Sequence, residues 1–300
     1  MKSQLVAALL ATTALLPAQT GEKKTTQDTV KKVAAKKTVK KVKNPKVLIK
    51  TSMGEITLEL FANEAPKTVA NFLGLAEGTK EFTDSKTRKK TKRNYFDGLI
   101  FHRVIADFMA QGGCPDGNGR GGPGFSFEDE INAKALGLDK KMAWVDTGRG
   151  KGPNQLLGIR SRQKFQSAIM DPVIKKLGIK SQKDFEEKKK EVDAELNKLT
   201  VLDVLVNMGY KYNDTRPSHG MLRGTIAMAN SGPNTNGSQF FLNMKDNTYL
   251  NGKHTVFGKV LTGMDIIDKM QKVKMKAPSK PEKDIKIISI RKIAKPAKDK

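Results

Sequence analysis

The chain holds a single cysteine, Cys114, so no disulfide can form within it. Its 3 histidines, His102, His219 and His254, lie far apart in sequence, and without a second thiol they suggest no metal site. No apolar run reaches the ~20 residues that span a bilayer. Acidic residues are outnumbered, 31 against 56 basic ones, for a formal net charge of +25 over 300 residues. That excess is spread over 22–46, the 80–93 loop, a middle segment and the C-terminus rather than gathered in one patch. Lysine tracts attract polyanions. Neither an arginine-rich helix nor an aromatic stacking platform accompanies these, and nucleic acid is not an expected partner.

The first residues read as a targeting segment. Met1–Ala18 has one lysine, an apolar run from Leu5 to Leu16, then Pro17 and Ala18. A cleaved signal peptide over 1–20 is expected, with cleavage near Ala18 to Thr20 and a periplasmic or extracellular destination. The bland alternative, a buried core helix, fits poorly because a lysine-rich stretch follows directly. With no cysteine ending the apolar run, a lipoprotein anchor is not expected, nor is a transmembrane span in the mature form. Residues 21–45 carry almost no large apolar side chains, so they cannot offset the entropy of ordering and read as a flexible basic tether. Residues 294–300 read as a short basic tail.

The globular part opens with a hairpin, Val47–Lys50 and Glu55–Phe61 around Ser52, Met53 and Gly54. Pro66 suits the first position of a helix whose apolar face is Val69, Phe72, Leu73 and Ala76, ended by Gly78. A basic loop, 79–94, precedes two strand-like runs within YFDGLIFHRVI and FMAQGG. The run GNGRGG fits G-x-G-x-x-G formally, yet Pro123 and Gly124 follow and no helix can open there, so it reads as a glycine loop and not a dinucleotide site. Between 132 and 219 two patterns predict helices: one capped by Ser181 with Asp184 and carrying Phe185, Val192, Leu196 and Leu199 on one face, the other from Thr200 through Met208 to Gly209. Asn154–Leu177 is also helix-like, although Pro172 interrupts it. Later, Gly263–Val273 reads as a helix capped by Thr262 with Ile266, Ile267 and Met270 inward, and Asp284–Ile293 as a closing strand.

Two stretches carry the chemistry. Thr225–Val260 is strand-like at both ends around the turn-rich SGPNTNGS, and sets Phe241, Tyr249 and Leu250 beside Asn230, Gln239 and His254. Phe101–Gly113, FHRVIADFMAQGG, compresses Arg103, Phe108, Met109 and Gln111 into nine positions. Singly, each has a bland reading: Phe, Met and Leu as core, arginine as a surface charge. Together, and above all in GPNTNGSQFF and GKHTVFGKV, they resemble the cyclophilins, peptidyl-prolyl cis/trans isomerases of the cyclosporin-binding family. The resemblance covers 46–131 and 220–293 and points to an exported bacterial member with a long insertion.

It implies a mainly β fold, a closed eight-stranded antiparallel barrel with a helix capping each end, to which 132–219 adds an inserted α-helical subdomain. It also implies roles. Arg103 would be the catalytic arginine, with Gln111 positioning it and contacting substrate. Phe108, Met109, Phe241 and Leu250 would form the proline slot, with His254 at its edge. Asn230 would hold the substrate backbone through its main chain, Gln239 would lie along the groove, and Ser231 would stand beside the neighbouring pocket. Tyr249 stands where many eukaryotic members have a tryptophan that contacts cyclosporin, so weak binding of that drug is expected. Proline-containing unfolded or extended polypeptides are the expected partners of a monomer that needs no cofactor. The rival reading is a non-catalytic chaperone or binding module that works through the groove and the insertion.

Overall fold

The computed structural model describes residues 42–294. The expected signal peptide, most of the tether and residues 295–300 of the tail lie outside them. Residues 42–45, the end of the expected tether, run against Asn63, whose Oδ1 accepts from Val42 N at 2.8 Å and whose Nδ2 donates to Val42 O at 2.7 Å.

Among the described residues eight strands share one antiparallel sheet: β1 (Lys46–Thr51), β2 (Gly54–Leu60), β3 (Arg103–Ile105), β4 (Met109–Gly112), β5 (Thr225–Met228), β6 (Phe240–Asn243), β7 (Val256–Thr262) and β8 (Ile287–Lys292). Their order is β8-β1-β2-β7-β5-β6-β4-β3. The sheet curls but does not close, which corrects the closed barrel expected from the sequence. β3 turns its free edge to Ser279, whose carbonyl accepts from Val104 N at 2.8 Å. The seam between β3 and β8 is crossed by irregular chain: Gly98 N and Phe101 N each donate at 2.9 Å, to Ile287 O and Ile285 O.

Alternation decides which side chains fill the sheet's inner face. Val47 and Ile49 on β1, Ile56, Leu58 and Leu60 on β2, Ile226 and Met228 on β5, and Phe240 and Leu242 on β6 all enter one core. Helix α1 (Pro66–Ala76) covers one opening and inserts Phe72, whose ring lies 5.1 Å from Phe96, 5.5 Å from Phe240 and 5.2 Å from Phe257. Such tilted and edge-on pairs add to plain burial. The N-terminus of α1 has no cap of its own. Glu130, 62 residues beyond Thr68, supplies one by accepting from Thr68 N at 2.8 Å and Lys67 N at 3.1 Å.

The 132–219 segment packs around a core of its own, which includes Leu138, Leu157, Ile169, Val192, Val204 and Leu205. It begins with a short antiparallel pair, Trp144–Asp146 with Lys151–Pro153, that the sequence patterns did not suggest. The helical reading of Asn154–Leu177 resolves into a 3-10 turn (Gln155–Leu157), α2 (Arg162–Phe165), a π turn (Gln166–Met170) and α3 (Asp171–Lys176). Pro172 offers no N–H to the turn before it, and the widened π turn absorbs that loss. The single helix expected after Ser181 is two, α4 (Gln182–Glu187) and α5 (Lys189–Leu196), divided at Lys188. Capping boxes form at Ser181 with Asp184 and at Thr200 with Asp203, where α6 (Val201–Asn207) starts. Helix α7 (Met264–Met270) buries Ile266, Ile267 and Met270 but starts after Gly263, at φ 90; Thr262 is the last residue of β7 and caps nothing.

Candidate active site

The alternation that sends Ile226 and Phe240 inward turns their neighbours to the opposite face. Across β3, β4, β6, β5 and β7 the register pairs Arg103 with Gln111, Gln111 with Phe241, Phe241 with Ala227, and Ala227 with Val256. Directly opposed residues in antiparallel strands lie side by side. One row therefore joins a guanidinium, an amide and an apolar floor, although its members are up to 153 positions apart in the chain (256 − 103).

The polar end of the row is a relay. Arg103 Nη1 donates to Gln111 Oε1 at 3.2 Å, and Gln111 Nε2 donates to Gln239 Oε1 at 2.8 Å. Gln239 Nε2 in turn donates to Gly119 O at 2.9 Å and Gly121 O at 2.8 Å. The glycine loop is thus an anchor for the relay through its carbonyls. Gly119, at φ 82, takes a backbone conformation that side chains resist. Gln239 lies within the relay as well as along the groove. The remaining N–H groups of Arg103 have no partner among the described residues, and its guanidinium stands 5.8 Å from the centre of the Phe108 ring.

The apolar end is a cluster of buried side chains, Phe61, Met109, Met221, Ala227, Phe241 and Val256, with Ile105, Phe108, Ala229 and Leu250 packed at its edge. Phe108, Met109, Phe241 and Leu250 are thus together, as the motifs suggested. His254 meets Phe241 edge-on at 5.6 Å and bonds through Nδ1 to Met228 O at 3.0 Å. Burial pushes its imidazole down to about 4, so the ring is neutral at ordinary pH. Tyr249, 40% exposed, stacks on Phe108 at 6.1 Å. Asn230 turns its amide inward to Lys253 O at 2.9 Å, while its own main-chain N–H and C=O have no partner among the described residues. Ser231 is exposed in the lining of an adjoining cleft of about 650 Å³, shared with Gln111, Gly121, Phe125 and Gln239.

Phe61, Met221, Ala227 and Val256 were missed as members of this cluster. Each sits in or beside a strand pattern where it reads as ordinary core, and only the register turns it to this face. The 132–219 segment also touches the site. Tyr212 Oη donates to Gly252 O at 2.8 Å, and Leu138 comes so close to Gly252 that a Cβ there would lie 2.6 Å from its Cδ1. At the far end of that segment, His219 stacks on Phe61 at 4.1 Å and bonds Glu64 Oε2 at 2.6 Å.

The family model of cyclophilin type peptidyl-prolyl cis-trans isomerase/CLD matches residues 46–292. The chain belongs to this family. Among relatives, peptidyl-prolyl cis-trans isomerase-like 1 of Neurospora crassa is 31% identical over 248 residues, 82% of this chain and 92% of that protein. Probable peptidyl-prolyl cis-trans isomerase A of Mycobacterium leprae is 29% identical over 249 residues, 82% of this chain and 91% of the other. A solved Cryptosporidium parvum cyclophilin type isomerase covers 84% of this chain, with 99% of its own length, at 23% identity and a TM-score of 0.48. In this cyclophilin the family match runs through 132–219, the segment that lies in sequence between β4 and β5. No helix among the described residues is long and apolar enough to cross a membrane.

Proposed function

We propose that this cyclophilin accelerates rotation about X–Pro bonds of extended or unfolded polypeptides, and that Arg103 stabilises the twisted amide. The amide C–N bond opposes rotation with a barrier of ~18–20 kcal/mol, and uncatalysed exchange takes tens to hundreds of seconds. No covalent bond breaks, so the reaction calls for neither nucleophile nor cofactor. It calls for a surface that fits the twisted amide better than either planar form. Twisting localises the nitrogen lone pair, which then accepts from a fixed donor. The carrying observation is the Arg103–Gln111–Gln239 relay, which holds a permanently charged, planar donor beside the apolar cluster, the proposed hollow for proline. The hollow takes the proline ring, and the unpartnered main chain of Asn230 takes the substrate backbone.

A binding module without catalysis would need the hollow but not the relay, so the relay favours the enzyme. Exchange NMR on a short Ala-Pro peptide separates the two. Catalysis gives cis/trans exchange cross-peaks at substoichiometric protein, undiminished by a chelator. Shift changes without faster exchange would refute catalysis and leave the chaperone reading. The apolar run and small residues at 5–20 support clients among exported proteins, with the mature chain acting outside the cytoplasm. N-terminal sequencing after cell fractionation tests this: an uncleaved chain in the cytoplasm refutes it.

A further inference from the structure

The insertion brings cations to the margin of the hollow. Its 3-10 turn, Gln155–Leu157, packs against the turn Thr248–Leu250 that carries Tyr249 and Leu250. The chain leaves that turn through Gly158, at φ 62, and Lys253 Nζ stands where a Cβ on Gly158 would be only 3.3 Å away. Arg160 and Lys164 follow, both exposed, and their charges act on Lys253. Burial first, then Lys164 and Arg160, pushes the Lys253 ammonium down to about 8. Arg160 and Arg103 both bear on the phenol of Tyr249.

None of these four cations has a carboxylate partner among the described residues. Elsewhere in the insertion three lysines do have such partners: Lys176 and Lys198 with Glu195, and Lys183 with Glu187. Gathering like charges around a half-buried lysine costs free energy that a bound anion relieves. Lys253 directly precedes His254 and its carbonyl accepts from the Asn230 amide, so the lysine is rooted among the site residues.

We propose that Arg160 and Lys164 of the insertion, together with Lys253, seat an acidic side chain of the substrate within a few residues of its proline. The proposal rests on the isomerase reading and adds a substrate class: segments with aspartate or glutamate near the X–Pro bond. An extended chain advances ~3.3–3.6 Å per residue, so a glutamate one to three positions from the proline samples this margin.

The test is a peptide series with Glu or Gln at each position from three before to three after the proline. It uses the full chain, the paired variant Arg160→Ala/Lys164→Ala, and a control, Lys46→Ala/Lys292→Ala, that removes the same charge from β1 and β8. At low salt at least one Glu peptide should exceed its Gln counterpart in kcat/KM by roughly three- to tenfold, the range expected of a few exposed ion pairs. That ratio should fall to about one in the paired variant and at ~1 M salt, and persist in the control. A ratio near one in the wild-type chain, its survival in the paired variant, or an equal loss in the control would each overturn the proposal. Titration with the same peptides gives the Glu-to-Gln ratio of Kd and reads the seat even if no peptide is turned over, an outcome that would remove the isomerase reading alone.

Discussion

Arg103→Ala is the most direct perturbation of the proposed mechanism. The side chain is half-buried on β3, donates one hydrogen bond to Gln111 at 3.2 Å and faces the ring of Phe108 at 5.8 Å. It forms no ion pair among the described residues and contributes nothing to the inner core, where Val104 is the β3 member. Removing it should therefore cost about 1 kcal/mol or less in stability, as for most surface positions. Its part in catalysis is a hydrogen bond from a charged donor, worth ~1.5–3 kcal/mol. If that bond forms only to the twisted amide, kcat/KM falls by roughly 10- to 150-fold at 1.36 kcal/mol per decade. Arg103→Lys keeps the charge but not the planar fork, and should recover only part of the loss. Gln111→Leu frees the guanidinium from its relay and should cost less than Arg103→Ala, and the two losses should not add, since both act on one group. Exchange NMR gives the rates, and circular dichroism with denaturant titration gives the folding. A folded, fully active Arg103→Ala chain would end the reasoning.

Three further outcomes are expected. Tyr249→Trp should strengthen cyclosporin inhibition by roughly two- to twelvefold, since a hydrogen bond gained from an indole N–H is worth ~0.5–1.5 kcal/mol; an unchanged inhibition constant would reject the role given to this position. Replacing 132–219 by a few-residue loop should leave tetrapeptide turnover at neutral sequences nearly unchanged but slow proline-limited refolding of larger proteins, and equal effects on both, or none, would deny the insertion a part in client binding. His254 is held down to about 4, against ~6.5 in an unfolded chain. Above about pH 6.5 both states keep the neutral ring; as pH falls towards 4 the unfolded chain binds a proton that the folded one refuses, so stability drops through that window. His254→Asn should remove this share of the drop between pH 7 and 4.5 in denaturant midpoints, and an identical decline in both chains would count against it.

Much of the local structure is written in short patterns. The β1–β2 hairpin, α1 opening at Pro66, and the capping boxes of Ser181 with Asp184 and Thr200 with Asp203 all depend on residues within a few positions of one another. The motifs around Arg103 and Phe241 named the chemistry for the same reason: period-two alternation turns Arg103 and Gln111, or Phe241, away from the core whatever lies elsewhere in the chain. What alternation cannot contain is register between distant strands. That Arg103, Gln111, Phe241, Ala227 and Val256 form one row follows from pairings that reach across residues 132–219, which only collapse of the whole core selects. The cap that Glu130 places on α1, the open seam where β3 turns to Ser279, and the approach of Leu138 to Gly252 are equally non-local. Each needs two segments that have no pattern in common and meet only because their apolar faces are buried together. Phe61 shows the difference in one residue: by its neighbours it ends a strand, and by its tertiary contacts it forms a wall of the hollow. The side to which a residue turns is a property of the local backbone, whereas the company it keeps there depends on packing.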